Sequence, residues 1–192
     1  PCPTVSLPPP YNNTGWRKIS LWASELPGME GDWLFLDLDV IVTGTLDGFF
    51  DFEPEKTFVV MQNWTQPGQG IGNTSVFRFR VGKHPYIYDR LAPEFKSILA
   101  SHNNEQIYIS RTVSEMAFWP DEWCALFKTH CIPPMPQRWW KAPTRPESAH
   151  VIAFPGDPNP PDAVLGIWPA KWYKRLYKHI LPAKWIADYW HE

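Results

Sequence analysis

Cysteine is scarce: Cys2, Cys124 and Cys131 are the 3 in 192 residues, and they form neither a CxxC pair nor a zinc-ligand spacing. A disulfide scaffold and a structural zinc are thereby excluded as organising devices, and a reducing compartment is the default. Excess charge is lacking as well. The net charge is −2, which excludes bulk electrostatic binding of nucleic acid. No apolar run approaches the ~20 residues that a membrane-spanning helix needs. The chain opens Pro1-Cys2-Pro3, with neither a basic n-region nor an apolar h-region, so no secretory leader is expected in it. The N-x-S/T sequons at Asn12, Asn63 and Asn73 then read as chance matches, and the expected location is cytoplasmic. No internal repeat and no linker interrupts the chain, which reads as one domain over residues 1–192 with 168–192 as a C-terminal tail.

What is abundant is proline and tryptophan, 22 and 12 respectively. Prolines in that number predict short elements separated by punctuated loops. Residues 1–15 read as loop. In residues 16–26, Trp16, Ile19, Trp22, Ala23 and Leu26 have the spacing of a helix with one buried stripe, and Pro27-Gly28 ends it. Trp33-Leu34-Phe35-Leu36 does not alternate, which predicts a strand buried on both faces. Further strands are expected at 40–42, 57–61, 75–79 and 150–154, and a helix at 85–99. Residues 106–113 fit helix or strand, 66–72 and 155–161 read as loops, and 133–146 as a Pro/Trp/Arg-rich loop. Strands interleaved with helices predict an α/β fold, in which ligands sit beyond the carboxyl ends of strands.

Asp37 and Asp39 stand at such a strand end. Carboxylates at i and i+2 point the same way, repel each other and resist burial. A hard divalent cation removes that cost, and it can also hold a diphosphate as a leaving group. The plain alternative is two exposed acids capping a turn.

The segment Trp33-Leu34-Phe35-Leu36-Asp37-Leu38-Asp39-Val40-Ile41-Val42, continued by Thr43-Gly44-Thr45-Leu46-Asp47-Gly48-Phe49-Phe50, resembles the GT-A glycosyltransferases of the glycogenin-like and lipooligosaccharide-galactosyltransferase-like group. There an apolar strand runs into D-x-D, then a small turn and L-x-x-L/F-F/W. Other pieces agree in order. Trp16-Arg17-Lys18 resembles the group's W-x-K helix, Asn73-Thr74-Ser75 its N-S/T-G/S strand entry, Glu105-Gln106 its D/E-Q pair, and Phe154-Pro155-Gly156 with Pro160 its F-x-G-x-x-x-P turn. The resemblance covers about residues 15–165.

It implies a GT-A (nucleotide-diphospho-sugar transferase) fold, a mixed central sheet flanked by helices, N-terminally incomplete because only 15 residues precede Trp16. It implies metal-dependent transfer of a sugar from a nucleotide-sugar, a UDP-sugar foremost, to a hydroxyl of a glycan or lipid-linked acceptor. Asp37 and Asp39 would hold Mn²⁺ or Mg²⁺, with Asp157 as a third ligand. Lys18, Asp37, Asn73, Ser75 and Gly156 would bind the donor, and Gln106 with Glu105 would meet the transferred sugar. Lys18, Asn73 and Gln106 also fit plain roles as a solvated charge, a turn former and a helix-surface amide. Two positions depart from the group. Its metal-binding His is absent beside the turn, where Ala153 and Pro155 stand, leaving His150 or, better placed in the loop, Asp157 to replace it, and its K-P lysine is Asn159.

Two other functions remain open at this point. A haloacid-dehalogenase-like Mg²⁺-dependent phosphatase would use Asp37 and Asp39 with Gly156-Asp157 and Asp162, but it needs Thr or Val where Ile41 stands. A non-catalytic sugar-binding relative is the other. Trp139-Trp140 could stack on a sugar or pack inward. The tail carries Trp172, Tyr173, Leu176, Tyr177, Ile180 and Trp185 among Lys171, Lys174, Arg175, Lys178 and Lys184, up to His191. It reads as amphipathic and helical on either side of Pro182, packing on the domain or lying on an anionic membrane surface.

Overall fold

Trp16, Ile19 and Trp22 recur every third residue, the period at which side chains of a 3-10 helix stack above one another. In the computed structural model, which describes residues 14–190, Thr14–Trp22 takes that form and buries all three. The helix expected over 16–26 is thus shorter and more tightly wound. Cys2, Asn12 and His191 lie outside the described residues.

The described residues fall into two compact units, one of residues 14–35 and 49–118, the other of 36–48 and 119–190. The first unit is built on a four-stranded sheet in the order β1 (Asp32–Leu36), β4 (Gly72–Arg80), β3 (Phe58–Gln62), β5 (Ala117–Phe118). β3 runs antiparallel to β4 and parallel to β5, so the sheet is mixed. β1 is its edge, with Trp33 exposed and its neighbours half-buried. The strands buried on both faces are instead the central ones, where Val59, Val60, Met61 and Val76 to Phe79 are closed off from solvent. Trp22 stacks on Phe77 at 5.9 Å and meets Phe58 edge-on at 4.9 Å.

Helices follow. α1 (Gly48–Asp51) is one turn. Residues 85–99 form not one helix but two, α2 (Tyr86–Asp89) and α3 (Leu91–Ser101). The ambiguous stretch is α4 (Glu105–Thr112), started by Asn104, whose side-chain oxygen accepts from the Ile107 N–H at 3.0 Å.

The second unit has its own mixed sheet, ordered β2 (Val40–Val42), β7 (Val151–Ala153), β6 (Cys124–Leu126). β7 is antiparallel to β2 and parallel to β6. A π-helical turn, Phe127–Cys131, follows β6, and Phe127 stacks on Phe154 at 4.4 Å. α5 (Pro160–Leu165) begins inside the stretch expected as loop, residues 155–161. Its signal was present: Asn159 at the cap, Pro160 at the first position, Asp162 at the third, and Gly166 after the last turn.

The tail is broken at Pro182 as expected, but its helical pieces are short. Two short 3-10 turns, Trp172–Lys174 and Lys184–Asp188, stand either side of Pro182, because proline removes a donor and breaks helical bonding. Its second part buries Ile180, Ala183 and Ile186 with Ile152 and Phe154. Its first part leaves Trp172 82% exposed, with Tyr173, Leu176 and Tyr177 also at the surface. Among the described residues no helix is long and apolar enough to cross a membrane.

Candidate active site

β1 ends at Leu36 and β2 begins at Val40, so Asp37-Leu38-Asp39 is a turn and not an unbroken strand. The alternation nevertheless survives in it. Leu38 is 94% exposed while both aspartates are half-buried. Asp39 is tied to β7: its carbonyl accepts from the Phe154 N–H at 2.9 Å, and Val40 pairs with Ala153. The end of β7 leads at once into Pro155-Gly156-Asp157. Gly156 has φ +63°, a left-handed conformation that glycine adopts without steric cost. The second acid of the turn and the Gly156 loop are therefore held side by side by the sheet.

A cation stands at the same loop. A Cβ added to Gly156 would lie 3.8 Å from the Lys128 Nζ. Burial pulls the Lys128 ammonium below the usual lysine range and Lys178 adds to the shift, while Asp157 and Asp39 oppose it. Among the described residues no three His, Cys, Asp or Glu side chains gather to hold a metal by themselves. Mg²⁺-type ions need no such cage, since one or two carboxylates suffice when substrate phosphates and water supply the rest. Asp37 and Asp39 fit that arrangement.

Other polar groups of this unit have structural duties. The Asp162 carboxylate accepts from the Asn159 N–H at 3.2 Å, which starts α5. It is thus used as a helix cap and not as the second acid that the phosphatase pattern requires. His150 Nδ1 lies 2.8 Å from the Thr45 carbonyl, and the His150 carbonyl accepts from the Thr43 and Gly44 N–H groups. These bonds shape the Thr43-Gly44 turn, where a Cβ on Gly44 would come within 2.7 Å of His150 Nδ1.

In the first unit Lys18, Thr74 and Glu105 meet. Lys18 Nζ donates to the Thr74 carbonyl at 3.0 Å and lies 3.9 Å from Glu105 Oε1. The Thr74 hydroxyl donates to the same carboxylate oxygen at 3.2 Å. The sheet makes this possible. Met61 pairs with Asn73 but Val60 pairs with Phe77, so β4 leaves residues 74–76 without partners on β3. Such irregularities re-aim groups near functional sites. The Asn73 side chain accepts from the Ser75 N–H at 2.9 Å, and both residues are buried. Gln106, next along α4, is half-buried. Lys18 and Glu105 thus lock the 3-10 helix, β4 and α4 together.

Sequence reasoning missed Lys128 and Arg78. Lys128 sits in no motif, although the apolar run Cys124-Ala125-Leu126-Phe127 is itself a strand signal that would have placed it just beyond β6. Arg78 is fully buried and donates to the carbonyls of Phe49, Phe50, Phe52, Glu53 and Lys56 at 2.7–3.1 Å.

No protein-family model and no curated protein matches the sequence. Solved structures do match in fold. The galactosyltransferase LgtC, crystallised with donor and acceptor sugar analogs, superposes with a TM-score of 0.52 at 13% identity, over 86% of this chain and 68% of LgtC. An active-site mutant of LgtC gives 0.52 at 14% identity, over 84% and 67%. The fold is a GT-A glycosyltransferase fold. The glycosyltransferase GlyE of Streptococcus pneumoniae TIGR4 is a weaker match, with a TM-score of 0.47 at 18% identity, and this chain spans 69% of its own length and 36% of GlyE.

Proposed function

We propose that this chain transfers a sugar from a nucleotide-sugar, a UDP-sugar foremost, to a hydroxyl of a glycan or lipid-linked acceptor. The observation that carries the reading is the Asp37-Leu38-Asp39 turn in a GT-A fold, with Asp39 bonded to the strand that delivers Gly156 and Asp157. Asp37 and Asp39 are the seat for Mn²⁺ or Mg²⁺, with Asp157 beside them. When bound, the ion offsets charge that develops on the leaving diphosphate. Gly156 leaves its Cα face open so that a phosphate can approach the backbone.

In the first unit, Lys18 and Glu105 hold Thr74, and through it Asn73 and Ser75, in one position for the donor sugar. Gln106 supplies an amide for that sugar's hydroxyls. Their contribution is alignment of the anomeric carbon with the acceptor oxygen. The exposed Trp172, Tyr173, Leu176 and Tyr177, with Lys171, Lys174 and Arg175, offer the acceptor a surface that stacks on sugar rings or rests on an anionic membrane face. A cytoplasmic, membrane-peripheral location fits that surface and two buried free thiols, Cys124 and Cys131.

The test is turnover. The protein is incubated with Mn²⁺, a panel of nucleotide-sugars and glycan acceptors, and release of the nucleoside diphosphate is followed together with sugar incorporation. Asp39→Asn should lower the rate by about 100-fold or more, since carboxylate ligation of the ion is lost. Phosphate release from a phosphomonoester with a covalent adduct on Asp37 would point to the phosphatase instead. Sugar binding without turnover, unchanged by Asp39→Asn, would point to the non-catalytic relative.

A further inference from the structure

We propose that Lys128 binds the leaving diphosphate of the donor, in place of the lysine that the resembling enzymes carry at the position of Asn159. The proposal rests on the sugar-transfer reading above and adds to it a residue outside every motif.

The vacancy in charge is explicit. Asn159 carries none, and its backbone N–H is already committed to Asp162 at the start of α5. A cation reaches the loop from another element. β6 runs parallel to β7 with Leu126 opposite Ala153, so the residues just beyond both strands lie level with each other. The Phe127–Phe154 stack at 4.4 Å fixes that alignment. Lys128 is the next residue, and its Nζ stands 3.8 Å from where a Gly156 side chain would begin. The ammonium thus hangs over the one face of the loop that glycine leaves bare. Among the described residues no carboxylate forms a close ion pair with it.

The surrounding charge suits a phosphate. Asp39 and Asp157 act on Lys128 with one sign and Lys178 with the other. Two lysines beside two carboxylates leave the loop close to neutral, and an ammonium on a flexible stem is an established phosphate-binding group. In the transfer itself, the bond between the anomeric carbon and the β-phosphate oxygen breaks, and its electron pair stays on that oxygen. The acceptor hydroxyl oxygen bonds to the anomeric carbon and its proton leaves to solvent. Lys128 exchanges no proton. It stabilises the added negative charge on the diphosphate by a charge-assisted hydrogen bond.

Two measurements test this. The first is calorimetric titration, in buffer with Mn²⁺ present throughout, of wild type, Lys128→Gln and Lys128→Arg with UDP, GDP, CDP, ADP and dTDP and with the matching monophosphates. For the diphosphate that binds, Lys128→Gln should weaken affinity about tenfold or more. Lys128→Arg should fall between, and the monophosphate should change by less than about twofold. Equal diphosphate affinity in wild type and Lys128→Gln overturns the proposal and leaves the sugar-transfer reading standing. No binding of any diphosphate by wild type removes both. The second measurement needs no variant: bound diphosphate should slow acetylation of Lys128 in the wild-type protein, read by mass spectrometry. Acetylation at an unchanged rate with the diphosphate bound refutes the contact.

Discussion

Arg78→Met should be one of the most damaging substitutions in the first unit. The guanidinium is wholly buried on β4 and donates to five carbonyls of residues 49, 50, 52, 53 and 56. Those carbonyls belong to the segment that begins with Phe49-Phe50, the end of the D-x-D motif region, so one cation organises the chain downstream of the aspartates. Burial pushes the Arg78 pKa down, with Asp32 opposing, yet a guanidinium remains charged at any working pH. Methionine keeps the volume and removes every donor. At about 1 kcal/mol net for each bond the loss approaches ~5 kcal/mol. Part returns because a buried charge has also been removed, which leaves about 3–5 kcal/mol. For a chain of this size that corresponds to a fall in Tm of roughly 6–20 °C. Hydrogen exchange should localise the effect, with amides of residues 49–56 opening far faster than the rest of the unit. Arg78→Lys keeps the charge but not the planar fork, and should cost roughly half as much. A Tm for Arg78→Met within about 2 °C of wild type, with unchanged exchange at 49–56, would refute the reasoning.

Gly72→Ala should cost about 1–3 kcal/mol by overpacking, because the new Cβ would lie 2.5 Å from Val60 Cγ1 in the central strand pair; urea denaturation measures it. Burial holds His84 below its ordinary 6.5, with Glu115 opposing, while its ring bonds Thr57 Oγ1 and the Tyr86 hydroxyl. As pH falls through about 6.5, the unfolded chain takes up a proton that the folded chain resists, so stability drops until the lower folded pKa is passed. His84→Gln should flatten that part of the stability–pH curve, and an unchanged slope would contradict the assignment. Burial raises both thiols, Cys131 up to about 12 and Cys124 further. Peptide mass spectrometry after maleimide treatment should therefore find both unlabelled in the native protein and labelled on unfolding.

The parts of the fold that followed from sequence are those where period or punctuation is strong. The central strands announce themselves as apolar runs, whereas the helices that start at Asn104 and at Asn159-Pro160 read as an ambiguous stretch and a loop although their cap residues are in the sequence. The edge position of β1 was not legible, because Trp33-Leu34-Phe35-Leu36 is as apolar as a central strand and only strand order decides which is covered. The Thr14–Trp22 helix was misread in type because Trp16, Ile19 and Trp22 satisfy both helical periods in part. Asp37 and Asp39 stand out in the sequence since paired acids after an apolar strand are costly without a partner, and the structure places both half-buried in one turn. Lys18 and Glu105 were found as motif members, but their engagement with Thr74 depends on the β4 irregularity, which no local pattern encodes. Lys128 could not be found at all without the register of β6 on β7.

The most direct test of the central claim is a thermal-shift titration of wild type and Asp39→Asn with Mn²⁺ and a panel of nucleoside diphosphates. The account predicts stabilisation of wild type that requires metal and one diphosphate together, and that disappears in Asp39→Asn. At 100 times the dissociation constant the shift should reflect about 2.7 kcal/mol. Stabilisation of neither protein, or equal stabilisation of both, would contradict a donor site built on Asp37 and Asp39.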